Sequence, residues 1–268
     1  MRTVAHLSDL HFGRIDPAIL EPLGEFIRGV KPDLVAISGD LTQRARTNEF
    51  LAAKEFLEAI PFPQIVVPGN HDVPLYNILS RFTRKLGRYT RYIRSDLQPC
   101  YADPEIVVLG VNTARAWTWK DGRINRSQLE KLRAVLQAAP SRATKIVVTH
   151  HPFDLPAGAA GRVVGRSRLA MKTLAECRVD LLLAGHFHIA DTSQTAKRYN
   201  MPGYSAIIVS SGTSTSTRGR GQPNSFNIIR IEEPEIAIER RVWRRDSRAF
   251  DVLSVERFLR SESGWIRE

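Results

Sequence analysis

Between residues 3 and 184 short apolar runs alternate with stretches of helical periodicity, which restricts the fold more than any other feature of the chain. Residues 3–8, 34–38, 64–67, 99–102, 106–111, 145–149 and 180–184 read as strands, because they are short, apolar and bounded by turn-forming residues. Residues 18–30, 48–59, 127–138 and 169–177 repeat apolar side chains at spacings of three and four, which predicts helices. After residue 190 the pattern changes to strands alone, at 192–199, 204–211, 225–231 and 236–243, followed by a short amphipathic helix at 255–260. Such alternation argues for α/β layers. With no internal repeat, linker or low-complexity block, residues 1–268 are expected to form one domain of two packed sheets flanked by helices.

Nearly every one of five short motifs stands directly after an expected strand. They are Asp9-Leu10-His11, Gly39-Asp40, Gly69-Asn70-His71-Asp72, His150-His151-Pro152 and Gly185-His186-Phe187-His188. The carboxyl ends of strands in an open α/β sheet converge on one rim, where ligands bind. Residues far apart in sequence would therefore meet in one cluster of Asp, Asn and His. Mixed oxygen and imidazole donors suit Mn, Fe, Co, Ni or Zn better than Ca, which prefers all-oxygen shells. The number of donors exceeds what one ion uses, so two ions are expected, with a carboxylate such as Asp40 bridging them. Two cations about 3.5–4 Å apart clamp the attacking and leaving oxygens of an in-line phosphoryl displacement and acidify a bridging water to hydroxide.

Taken singly, each motif could be a plain structural feature. Gly-Asp after a strand is usually a corner, and Asn70-His71-Asp72 could cap a helix before Pro74. Taken together and in this order, they resemble the calcineurin-like metallophosphoesterase superfamily, and in particular its class III cyclic nucleotide phosphodiesterase group. The superfamily order is D-x-H, G-D, G-N-H-D/E, H and G-H-x-H. The resemblance implies a four-layer αββα sandwich of two mixed sheets, in agreement with the layers expected above. It also implies that Asp9, His11 and His188 hold one metal, that Asn70, His150 and His186 hold the other, and that Asp40 bridges. The ions implied are Mn2+, Fe2+/Fe3+ or Zn2+. His71 would lie beside the scissile phosphate, stabilising charge or protonating the leaving oxygen, with Asp72 orienting it. His6 is expected to be packed or to support the site, and His151 is open between a supporting and a structural place.

Two segments bear on the substrate. Residues 210–220 (Ser-Ser-Gly-Thr-Ser-Thr-Ser-Thr-Arg-Gly-Arg), followed by Pro223-Asn224-Ser225-Phe226-Asn227, are similar to a stretch of the class III group. Arg218 and Arg220, with Asn70 and His71, are candidates to bind phosphate; the plainer reading is a loop between two strands. Residues 81–94 hold six basic side chains and no acid. As a helix they would place Phe82, Leu86, Tyr89 and Ile93 on one stripe beside Arg81, Arg84, Arg88 and Arg91. This segment either packs on the core with its arginines in water or forms a basic helical cap over residues 75–97, near the site.

A formal net charge of +11 and a pI near 10.1 favour polyanionic partners. The first residues lack the apolar stretch and cleavage site of a secretory leader, and no run is long enough to cross a bilayer, so a cytoplasmic location is expected. Cys100 and Cys177 suggest neither a disulfide framework nor a thiolate cluster. Without a capping domain or an array of stacking aromatics, nucleic acid is not expected as a partner. The chemistry expected is therefore hydrolysis of an anionic phosphodiester, a cyclic nucleotide or similar small diester. Alternatives are a phospholipid or nucleotide-lipid phosphodiesterase in peripheral contact with anionic lipid, and a non-catalytic scaffold. Trp265 and Ile266 are candidates for a homodimer contact.

Overall fold

The computed structural model of the chain describes residues 1–75, 83–118, 120–219 and 221–268. Among the described residues, thirteen strands form two mixed sheets. The first contains β1 (Arg2–Leu7), β2 (Leu34–Ile37), β3 (Gln64–Val66), β10 (Ser225–Glu232), β11 (Glu235–Arg244), β12 (Ala249–Ser261) and β13 (Gly264–Arg267). The second contains β4 (Cys100–Ala102), β5 (Ile106–Gly110), β6 (Thr144–Val148), β7 (Leu181–Ala184), β8 (Asp191–Gln194) and β9 (Ile207–Ser210). Spatial order is β13-β12-β11-β10-β1-β2-β3 in the first and β4-β5-β6-β7-β9-β8 in the second. The strands joined through helices, β1-β2-β3 and β5-β6-β7, run parallel, whereas β10 to β13 form an antiparallel meander.

Strand alternation decides which layer each side chain enters. In β2, Leu34 and Ala36 face the other sheet while Val35 and Ile37 face the helices. In β6 and β7, Ile146, Val148, Leu181 and Leu183 meet them between the sheets, while Val147 and Leu182 turn outward. Helices α1 (Pro17–Val30) and α2 (Thr47–Glu58) cover the outer face of the first sheet through Ile19, Leu23, Ile27, Phe50 and Ala53. Helices α4 (Arg126–Ala138) and α5 (Ser167–Glu176) cover the second through Leu129, Leu132, Leu136, Ala170 and Leu174. The four-layer αββα sandwich expected from the sequence is the fold observed.

Several expectations are corrected. Residues 255–260 are not a helix but the middle of β12, bonded to β11 on one side and β13 on the other. Apolar Val255 and Leu259, four apart, imitate a helical stripe, but both are exposed on the outer face while Phe258 points into the core. Trp265 is not available for a subunit contact: it is 1% exposed, and its Nε1 donates to Asp180 Oδ1 at 2.9 Å. The strand expected over 192–199 ends at Gln194, where a 3-10 turn (Thr195–Lys197) begins and Thr195 Oγ1 accepts from Ala206 N. In the basic segment, Arg81 and Phe82 lie outside the described residues. The part described forms a short α3 (Gly87–Tyr92) with Tyr89 buried and its hydroxyl donating to Val66 O at 2.9 Å. Arg88 donates to Ala45 O at 3.0 Å, which turns it toward the start of α2.

Candidate metal centre

Each ligand candidate sits just past a strand: Asp9 and His11 after β1, Asp40 after β2, Asn70 after β3, His150 after β6, and His186 and His188 after β7. Five of the seven, Asp9 (φ 51°), His11 (φ 51°), Asp40 (φ 52°), His186 (φ 76°) and His188 (φ 58°), have left-handed backbone. That conformation is sparsely populated outside glycine and concentrates at functional sites. It reverses the chain abruptly at the strand end and turns these side chains to the shared rim. The close approach depends on glycine: a Cβ on Gly69 would strike the Asp40 carboxylate, and one on Gly185 would strike Ser8 Oγ and Asp9 Oδ2.

The seven side chains form two donor groups. In the first, His188 Nε2 lies 3.2 Å and His11 Nε2 3.6 Å from Asp9 Oδ1, and the two ring nitrogens are 3.1 Å apart. In the second, Asn70 Oδ1 lies 3.1 Å from His150 Nε2 and 3.0 Å from His186 Nδ1, which is 3.2 Å from His150 Nε2. Asp40 stands between them, Oδ2 3.7 Å from His11 Nε2 and Oδ1 3.4 Å from His150 Nε2. Donors about 2.1 Å from one ion at tetrahedral or octahedral angles are about 3.0–3.4 Å apart, so most of these spacings suit a shared cation. Asp9 Oδ1 is buried without a hydrogen-bond donor, as a carboxylate oxygen reserved for a cation would be.

The supporting bonds aim the donors inward. His150 Nδ1 meets Ser38 O at 2.8 Å and His188 Nδ1 meets Arg218 O at 2.9 Å. A carbonyl only accepts, so each Nδ1 carries the proton and each Nε2 offers its lone pair to the site. Ser8 Oγ donates to Asp9 Oδ2 at 2.7 Å, as does His186 N at 3.0 Å. The Ser-Thr stretch beyond β9 is largely buried and braces this turn: Thr213 Oγ1 donates to Asp9 O and Thr215 Oγ1 to Leu10 O, both at 2.6 Å.

Burial alone would raise both aspartates, but neighbouring imidazoles outweigh it. His188 and His11 hold Asp9 well below the usual carboxylate range, and His150, His71 and His11 hold Asp40 below it. Burial, then the charge of His150, pushes His186 down to about 3, and burial also lowers His11. Burial lowers His188, but the Asp9 carboxylate outweighs it and holds it above its ordinary value. The two aspartates are thus ionised, as carboxylate ligands of a divalent cation must be. His150, His151 and His186 also approach one another, but His151 is engaged at both nitrogens, with Thr113 Oγ1 at 2.7 Å and Lys120 O at 2.9 Å. It holds the cleft wall. His6 is buried with Nε2 2.9 Å from Ser38 Oγ, one bond behind His150.

His71 stands at the mouth, its ring 4.9 Å from that of His11. The group orienting it is not Asp72 but the main chain, with Nδ1 2.8 Å from Gln43 O. Asp72 instead accepts from the main-chain N–H groups of Leu41, Thr42 and Gly69, clamping the Asp40 turn to the Asn70 turn. Burial and the Asp40 charge push Asp72 up to about 7 against those donors. Arg218 Nη1 lies 3.1 Å from His71 Nε2, and Arg220 lies outside the described residues. A cleft of about 270 Å³ opens over Asp40, Asn70, His71, His186 and His188, with Arg218, Lys120 and Arg162 on its sides. Gln43, Lys120 and Arg162 carry no motif; only folding reveals them. None of the described residues from 83 to 94 lines this cleft. A larger cavity of about 760 Å³ lies at the opposite strand ends, beside Met1, Lys145 and Asp180, and among the described residues holds no such donor group.

A family profile described as calcineurin-like phosphoesterase matches residues 2–190. A glycerophosphodiester phosphodiesterase, GpdQ, of Enterobacter lignolyticus is 28% identical over 165 residues, covering 57% of this chain and 58% of that protein. A probable cyclic nucleotide phosphodiesterase of a Synechococcus strain is 25% identical over 206 residues, covering 70% and 74%. The chain thus spans about three-fifths of the first of these relatives. Among solved structures, the purple acid phosphatase PPD1 of yellow lupin seeds has a TM-score of 0.71 at 15% identity, covering 96% of this chain and 53% of that one. GAP50 of Plasmodium has a TM-score of 0.59 at 15% identity, covering 95% and 87%. At such identity these two show the fold alone.

Proposed function

The chain belongs to the calcineurin-like phosphoesterase family, and from that membership we propose that it is a dinuclear-metal-dependent phosphodiesterase acting on a cyclic nucleotide or similar small phosphodiester. The observation that carries the reading is the position of Asp40, with one carboxylate oxygen toward each of two donor groups. Asp9, His11 and His188 would hold one divalent ion and Asn70, His150 and His186 the other, with Mn, Fe or Zn all suited to the mixture. When bound, the ions would supply Lewis acidity and a hydroxide nucleophile near neutral pH, with in-line attack on phosphorus.

The remaining steps belong to the protein's own residues. Arg218, Lys120 and Arg162 draw an anionic diester into the cleft. The Arg218 guanidinium, which now donates toward His71 Nε2, forms a stronger charge-assisted bond to a phosphate oxygen. That exchange releases Nε2 to hold a proton beside the leaving oxygen, while the Gln43 carbonyl keeps the ring in place.

A second reading, a phospholipid or nucleotide-lipid phosphodiesterase, is favoured by the basic sides of the cleft and by the name of the GpdQ relative. No helix of the described residues is long and apolar enough to cross a membrane; a cytoplasmic, peripheral location fits either substrate. The test is metal-reconstituted protein assayed on bis(p-nitrophenyl) phosphate, then on cyclic AMP, glycerophosphodiesters, phospholipid and single-stranded DNA. We expect turnover that a chelator abolishes, with the highest kcat/KM on a small diester. Full metal occupancy without turnover of any substrate would refute the enzyme and leave a scaffold.

A further inference from the structure

The side of the cleft formed by residues 113–118, 120–126 and 160–168 carries a cationic, apolar-tipped surface. Its tip is Trp117, 80% exposed, the most exposed large apolar side chain among the described residues. Arg115, Arg123, Arg126 and Arg166 lie near enough to one another on this wall for their charges to interact, on a braced scaffold. Arg123 N donates to Thr113 O at 3.0 Å, Gly165 N to Gly122 O at 2.8 Å and Ile124 N to Gly165 O at 3.2 Å. Among the described residues, no carboxylate pairs with any of these four arginines. Asp121, on the same wall, is engaged 3.8 Å from Arg162. Loss of surrounding water, and then the charges of Arg123, Arg126 and Arg115, hold the Arg166 guanidinium below its ordinary value. Burial and the Arg115 charge lower Lys85 as well, which places this basic residue beside the wall. Leu169, 41% exposed, stands in the first turn of α5, three residues after Arg166, which precedes that helix in left-handed backbone.

We propose that this wall is a docking surface for an anionic phospholipid bilayer. Arginines that repel one another and have no carboxylate partner are relieved by a plane of negative headgroups. An indole suits the headgroup level, where its ring is shielded and its N–H stays hydrated, and Leu169 adds an aliphatic contact. Single-stranded nucleic acid would meet the same charges but would leave Leu169 without a function. Lys120 and Arg162 line the cleft on this same side, so docking sets the mouth of the cleft against the membrane plane. The surface does not depend on which diester is cleaved.

The test is co-sedimentation of the full chain with vesicles of phosphatidylcholine alone or mixed with phosphatidylglycerol. Binding is expected only to the mixed vesicles and should weaken as salt rises. Each neutralised arginine should lower partitioning about five-fold, so Arg126→Gln with Arg166→Gln should lower it about twenty-five-fold. Trp117→Ala should lower it roughly ten-fold. Hydrolysis of bis(p-nitrophenyl) phosphate, unchanged in these variants, shows that they fold. Equal binding to both vesicle types, no binding to either, or variants that bind like wild type would overturn the proposal. So would capture of a short single-stranded DNA while mixed vesicles are ignored. A wild-type protein that binds vesicles but hydrolyses nothing would overturn the diesterase and leave the docking surface standing.

Discussion

Asp40 and His71 are near neighbours, with His71 N donating to Asp40 Oδ1 at 2.8 Å, yet their substitution should have different consequences. Asp40→Ala removes oxygen donors from both groups and should abolish metal occupancy and turnover together. His71→Ala leaves both donor groups intact; metal analysis should show normal content while kcat falls about 10²–10⁴-fold. The fall should be steepest for leaving groups of high pKa, and equal losses across leaving groups would reject an acid function for His71. Behind the centre, burial pushes His6 down to about 3 from an ordinary value near 6.5. Between those values the unfolded chain holds a proton that the folded chain lacks, so stability is full above the upper one and falls as pH drops. His6→Gln should flatten the slope by about 1.4 kcal/mol per pH unit in that window, read from urea midpoints of metal-free protein. An unaltered slope would show that His6 is not the group responsible. That these seven candidate donors would meet was legible because Asp, Asn and His, ordered in five motifs, stand just past strands whose ends converge on one rim. The partner of His71 was not, since a main-chain carbonyl leaves no mark on the residue that bears it.

At the scale of elements, the strand ends act as the positioning device. Gly185 lets the β7 end pass against the β1 end, where a methyl group would collide with Ser8 and Asp9. Gly185→Ala should displace Asp9 and lower metal affinity about 10–100-fold, as loss of a supporting contact does elsewhere. Unchanged affinity by titration calorimetry, with circular dichroism like wild type, would show that the turn adapts. The parallel strands and long helices could be read because hydrophobic period and length agree. β12 could not: apolar residues four apart belong to a helix or to one face of a strand, and only pairing with β11 and β13 resolves them. The basic segment met the same limit, since its charge pattern says which residues share a face and not what that face packs against.

For the molecule as a whole, the two sheets are tied at the rim opposite the candidate metal centre. Trp265 of β13 fills the space between them and bonds Asp180, which also pairs with Arg260 at 3.0 Å and accepts from Lys145 N at 2.8 Å. Trp265→Ala should cost about 3–5 kcal/mol in denaturant unfolding and leave turnover intact below the midpoint. A loss under about 1 kcal/mol would mean that the core closes over the gap. The layers, their order along the chain and the identity of the candidate ligands follow from local pattern. Each rests on the period of apolar residues or on residue chemistry just after a strand, both of which are short-range. The split of donors into two groups around Asp40, the bracing of Asp9 by Thr213 and the cationic wall beside the cleft come from contacts between distant segments. Such contacts depend on register and on left-handed turns at strand ends, so the fold had to form before they could be seen.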